Sequence, residues 1–270
     1  MKRVAVGVLL AQLVAVPGAD PVTALRAALV RGKGVNVEFA AKVDHGQGLR
    51  HTLKVDGTAG FGPEGEIASD TSQQLRYGKA AIRALKELGL GEDAALEEAP
   101  LRVISSRYVD YVAGPRFADV LPKGTSWVRY RHTDLPSTNP LLEVLEPATL
   151  KALLAHRTSW RGGVVKGTIK GDKLVKVSEA FAARFRGYSW IKPVSTISYT
   201  LRLSTAGLVE RATAKAVLRH WKGSVLRVET DTRYSGWGRD VTVALPLESE
   251  VLGQDQLRGK VPDQVPGAWN

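Results

Sequence analysis

Cysteine is absent from the 270 residues. That absence excludes disulfides, thiolate metal sites, a cysteine nucleophile and a lipid attached through a thiol. No repeat with a period of about 20 to 50 residues is visible, and no low-complexity tract divides the chain, so one domain is the economical reading. No five consecutive basic residues occur, although 38 Lys and Arg against 27 Asp and Glu leave a net charge of +11. The charges alternate with apolar residues instead, which describes a solvated surface. Nucleic acid is therefore not expected as a partner, and an anionic membrane surface is the secondary reading. With 44% apolar and 24% charged residues the chain can still bury a core.

Signatures of catalysis are missing too. His45, His51, His132, His156 and His220 are scattered, and none begins the His-Glu-x-x-His pair that puts two metal ligands on one helix face. There is no Gly-x-Ser-x-Gly elbow. Ser189 and Lys192 match Ser-x-x-Lys, but no Ser-Asp-Asn or Lys-Thr-Gly accompanies them. Gly60, Gly62 and Gly65 fit a dinucleotide fingerprint, yet Pro63 interrupts it and the flanks alternate as antiparallel strands, so a turn is expected there. Adjacent carboxylates such as Glu97 with Glu98, or Glu248 with Glu250, read as surface charge. The six Trp, at 127, 160, 190, 221, 237 and 269, are too dispersed for a stacking platform; most are assigned to core or sheet edge, with pocket lining the alternative for some. No cofactor, metal or enzymatic activity is expected.

What the chain does have begins at its start. Lys2 and Arg3 precede an apolar run from Val4 to Val16, followed by Pro17, Gly18 and Ala19. This order of basic, apolar and small residues is that of a secretory signal peptide over residues 1–19. The run is short for a bilayer span. Export to the cell envelope or the medium is expected, with the mature chain starting near Gly18 to Asp20 and no anchor through Cys.

A short amphipathic helix is expected from Pro21 to Gly32. From Val35 to Asp44 the odd positions are apolar and the even ones mostly polar, a strand with one buried face. His45 to Gly48 reads as a turn into a second strand. Lys79 to Ala99, broken by Gly89 and Gly91, reads as two short helices. Strands follow at 101–114 and 125–133, a polar turn at 134–140, a helical stretch to Ala155 interrupted at Pro147, a β segment at 159–171 and a helix near 176–187. The last third, from Ser195 to Tyr234, contains three alternating segments joined by short turns, an antiparallel meander. Residues 240–246 are expected to add a strand, and 253–270 a loosely held tail.

The segments 199–217 and 231–251, with the strand at 37–43, "LPKGTSWVRY" at 121–130 and "NPLLEVL" at 139–145, resemble actinobacterial LppX/LprG-type proteins of the LolA-like lipoprotein-carrier fold. The resemblance covers most of 20–252. It implies an α+β fold: a single curved antiparallel β-sheet, an open half-barrel, with helices packed on the concave face around an apolar cavity for acyl chains. It also implies lipid handling without catalysis, with a lipid or acyl-chain ligand as partner and a membrane surface or envelope proteins as further ones. Strand alternation points Val37, Phe39, Leu53, Val55, Tyr199, Leu201, Ala214, Ala216, Leu226 and Val228 inward, as candidate lipid-lining residues. Two alternatives stand beside this reading: a sensor or interaction domain of the same fold with a filled core, and a secreted hydrolase whose site is assembled from distant residues.

Overall fold

A computed structural model describes residues 20–107, 109–131, 139, 141–187, 191–192, 196–220 and 225–263, with the backbone alone at 184–187, 191–192, 219 and 220. The expected signal peptide, Ser189, His132, Trp190, Trp221, Trp269 and most of the turn at 134–140 lie outside the described residues.

The chain opens with α1 (Pro21–Ala28), whose first turn is capped by the Asp20 carboxylate accepting from Thr23 N at 2.9 Å. Three long strands follow as consecutive hairpins, β1 (Lys33–Asp44), β2 (Arg50–Gly62) and β3 (Gly65–Tyr77). The glycines at 60, 62 and 65 lie at the β2–β3 hairpin, so this motif is a turn and opens no helix. Next come α2 (Lys79–Glu87), α3 (Gly91–Glu97), β4 (Leu101–Ser106), β5 (Val109–Ala113) and β6 (Trp127–Arg131). The β-rich segment at 101–114 is a hairpin that reverses at Arg107, where φ is +48°.

Beyond it lie α4 (Pro147–Ala155), β7 (Arg157–Arg161), β8 (Val164–Ile169), α5 (Gly171–Val177), α6 (Glu179–Gly187) and the two-residue β9 (Ile191–Lys192). Pro147 does not interrupt a helix. It opens one, because the first helical position needs no N–H and proline's fixed φ suits it. The helix expected near 176–187 is divided at Ser178, whose extended backbone ends α5 and whose Oγ accepts from Phe181 N in the first turn of α6. The meander is β10 (Ile197–Leu203), β11 (Val209–His220) and β12 (Val225–Asp240), and β13 (Val251–Gly253) is the last strand.

All strands join one open 13-stranded sheet of order β13-β6-β5-β4-β3-β2-β1-β12-β11-β10-β8-β7, with β9 beside β11. Every pairing is antiparallel except β13 on β6. The strand expected at 240–246 does not form. Lys33 opposite Asp240 ends the β1–β12 ladder, and beyond it Val241 N donates to Gly32 O at 3.0 Å without continuing the strand.

The register defines two faces. Val37, Gly57, Thr71, Val103, Val112, Val128 and Leu252 stand opposite one another in a row across seven strands. That face carries the helices. Leu25 of α1, Leu150 and Leu153 of α4, Leu174 of α5 and Phe181 of α6 pack there in one cluster with residues of β1, β2, β8, β10, β11 and β12. Toward β6 the same face continues into a smaller cluster containing Val103, Val112, Phe117 and Val128. The opposite face is polar over the long strands, with cross-strand ion pairs such as Arg211 to Asp231 at 2.5 Å and Lys215 to Glu229 at 2.7 Å. Only near β4 to β6 does it bury apolar groups, Ile104, Tyr111 and Trp127, which Val243 and Val251 help cover.

Residues 253–263 are described. This stretch turns in a 3-10 helix at Gln254–Leu257 and buries Leu257 and Val261 against Val128 and Tyr130. Two apolar anchors in an otherwise polar stretch suffice to hold it.

Candidate functional site

The helix-bearing face is the candidate site, and it is built from alternation. Of the ten inward positions expected from the sequence, Val37, Phe39, Leu53, Val55, Tyr199, Leu201, Ala214, Ala216 and Val228 are buried, and Leu226 packs partly buried against the same cluster. The structure therefore brings all ten to one apolar interior.

Their neighbours differ in kind. On β11, Ala212, Ala214 and Ala216 form a track of small side chains. Beside it on β12, Val228, Thr230, Thr232 and Tyr234 face inward, with Thr232 opposite Ala212 and Thr230 opposite Ala214. Three hydroxyls thus run along the middle of an apolar surface. Thr232 Oγ accepts from Asn139 Nδ2 at 2.6 Å, and Asn139 Oδ1 accepts from the backbone N–H groups of Leu141 and Leu142 at 3.0 Å. This ties the segment entering α4 to the sheet.

Thr230 Oγ is buried and, among the described residues, has no hydrogen-bond partner, whereas the buried Tyr234 hydroxyl has the Thr232 and Asn139 side chains within hydrogen-bonding reach. Burial pushes the Tyr234 phenol far up from its usual pKa, and the carboxylates of Glu143 and Glu66 push it further. It remains a neutral hydroxyl at any physiological pH. Alternation alone did not single out Thr230, Thr232 or Asn139. A threonine at an inward position was the available signal.

Tyr199 is placed differently from its apolar neighbours. Its hydroxyl donates to the backbone carbonyl of Leu153 in α4, and Gly167 on β8 leaves room for its ring, since a Cβ there would meet the phenol. Burial raises its pKa to about 12. Tyr199 therefore clamps the sheet to α4 and fills space that a cavity-lining residue would leave open.

Two other groupings lie apart from this face. A hollow of about 360 Å³ beside α2 and α3 is lined by Leu85, Leu90 and Leu96, with Glu97 and Arg116 at its border. The two charges are 3.4 Å apart and pair with each other. Glu97 also accepts from the Tyr77 hydroxyl, and Glu98 accepts from Tyr77 N at 2.6 Å, so these carboxylates anchor α3 to β3 and are more than surface charge. His45 and His51 meet at 3.1 Å across the β1–β2 turn. Among the described residues no group of three or more His, Cys, Asp or Glu could hold a metal ion. None of their helices is long and apolar enough to cross a membrane. Trp127 is buried, Trp237 donates to Val209 O at 3.1 Å, and Trp160 lies exposed on β7.

No protein-family profile matches the chain, and no curated protein matches it. Among solved structures, a LolA superfamily protein from Nitrosomonas europaea is similar over 82% of this chain and 93% of its own, with 7% identity and a TM-score of 0.32. A DUF1329 family protein from Desulfovibrio piger is similar over 84% and 96%, with 13% identity and a TM-score of 0.28. Neither likeness decides a function.

Proposed function

We propose that this chain is a noncatalytic, exported envelope protein that takes an acyl-bearing lipid between its sheet and its helices, as a LolA-like carrier of the LppX/LprG type would. The observation that carries the reading is the unpartnered Thr230 hydroxyl, buried opposite Ala214 in the alanine track. A buried hydroxyl without a partner destabilises a fold by about 1 to 3 kcal/mol. A core serving only as packing would hold Val at this position, which has nearly the same shape. An ester or amide carbonyl near the head of an acyl chain would accept from the Thr230 hydroxyl while the chain lay over Ala212, Ala214 and Ala216.

The roof suits entry. Strands of 12 to 16 residues, such as β1, β11 and β12, run about 40 to 54 Å. Each covering helix, with 7 to 9 residues, spans only about 11 to 14 Å. Short helices joined by loops can part from the sheet one at a time.

The test is uptake of a fluorescent acyl ester, with mass spectrometry of material extracted after gentle purification. Thr230→Val is expected to raise stability by about 1 kcal/mol without ligand, and to weaken probe binding. Ala214→Trp should block uptake by occupying acyl volume. A chain that carries no acyl mass and takes up no probe refutes the reading. The second reading, a sensor with a filled core, is favoured by the Tyr199 clamp. It requires no uptake and predicts that Ala214→Trp overpacks the interior by about 1 to 3 kcal/mol.

A further inference from the structure

The net charge is segregated within the fold. Residues 147–220 contain fourteen Lys and Arg against three Asp and Glu, a difference of +11 that equals the net charge of the whole chain. The remainder is balanced. Because the segment supplies α4, β7, β8, α5, α6, β9, β10 and β11, topology gathers it at the end of the sheet that finishes in β7. No run of like charge announces this, since the residues come from eight successive elements.

The outermost strand there is unusual in its composition and exposure. All five residues of β7 are exposed, and Trp160 keeps 43% of its surface in solvent with the Arg157 guanidinium 5.4 Å above its ring. Trp160 stands opposite Val165, which is buried, so the indole lies on the helix-bearing side of the edge. On that same side α5 packs through Leu174 and leaves Lys173, Val175, Lys176 and Val177 exposed. Asp172 and Glu179 are the acidic residues nearby in sequence. Among the described residues Arg161, Lys170, Lys173 and Lys176 form no ion pair, whereas the basic residues Arg211 and Lys215 in the middle of the sheet are paired.

We propose that this end of the molecule, the rim formed by β7 and α5, docks on an anionic lipid membrane. Indole rings settle at the boundary between headgroups and acyl chains, and unpaired Lys and Arg beside them are drawn to anionic headgroups. Val175 and Val177 add apolar surface between the lysines, as on helices that lie in the interface. A nucleic acid is the weaker fit. One indole flanked by valines offers no succession of stacking rings, and the apolar groups would stay wet against phosphates. The docking surface does not depend on a lipid cargo, because vesicle binding requires only the rim.

Cosedimentation of the full chain with phosphatidylcholine vesicles, with and without phosphatidylglycerol, tests this. Binding is expected only with phosphatidylglycerol and should decline with added salt. The triple variant Arg161→Glu, Lys173→Glu, Lys176→Glu should lose binding by about tenfold or more, and Trp160→Ala should weaken it while melting as the parent does. Lys79→Glu, Arg83→Glu, Lys86→Glu makes the same charge change on α2 and should bind as the parent. Equal loss in the two triple variants, equal binding to both vesicle types or no binding would overturn the proposal. So would tighter binding to duplex DNA at the same ionic strength, lost in the β7–α5 variant, which would assign the rim to nucleic acid. Acyl-probe uptake measured on the same variants separates failure of docking from failure of the cargo reading.

Discussion

His45 and His51 face each other across a turn, with Nε2 of the first 3.1 Å from Nδ1 of the second. One ring must be deprotonated at that contact for a single proton to be shared. Burial lowers the His45 pKa below its ordinary 6.5, with the neighbouring Asp44 carboxylate opposing. A histidine depressed in the folded state contributes stability above its unfolded pKa and loses it as pH falls. Stability should therefore decline as pH drops below about 6.5, and His45→Asn should flatten that decline in urea titrations at several pH values. Tyr199 acts at the same scale. Removing its hydroxyl in Tyr199→Phe frees the Leu153 carbonyl and should destabilise by about 1 kcal/mol, while faster acyl-probe uptake would show that the clamp restrains α4. Residue roles were legible in the sequence where side chains are purely apolar, as at Val37, Phe39 and Leu201. They were illegible at Thr230 and Thr232, because a β-branched hydroxyl residue suits either face of a strand and its inward register does not say whether its hydroxyl finds a partner.

The elements were readable where local chemistry decides them. The Asp20 cap and Pro21 start α1, and Gly89, with φ at +77°, separates α2 from α3. Gly162 and Gly163, both with positive φ, turn β7 into β8. Where a long-range partner decides, reading failed: 240–246 alternates like a strand but reaches beyond the end of β1, and β13 pairs parallel with a strand more than a hundred residues earlier. Gly57 is a further case. It interrupts the inward row between Val37 and Thr71, and a Cβ there would lie 2.2 Å from Asp70 O and 2.7 Å from Thr71 Cα. Both are backbone atoms that cannot swing away, so β2 and β3 depend on this glycine for their close approach. Gly57→Ala should destabilise by about 1 to 3 kcal/mol or more, measured by thermal melting.

For the whole molecule, the single open sheet follows from hairpins visible in sequence, while the gathering of charge at one end follows only from strand order. Searching for runs of basic residues misses a segment whose charges are spread over many turns of chain. The β4–β6 end is also built from distant pieces: Leu257 and Val261 complete its inner cluster, and Val243 with Val251 covers its outer one. Truncation after Gly253 removes two buried side chains, each worth about 1.5 to 3 kcal/mol. The shortened chain should melt well below the full one, and hydrogen exchange should quicken first in β5 and β6.

The parallel pairing of β13 with β6 has a consequence for how the protein is made. β6 leaves the ribosome more than a hundred residues before the strand that covers its edge. Throughout that interval β6 offers unpaired N–H and C=O groups to any extended chain nearby. A nascent, stalled or proteolytically clipped copy shares the same open edge, and two such copies could stitch together there. Residues 251–253 thus act as a stopper: only a chain synthesised through Gly253 hides the edge by which shorter ones would aggregate.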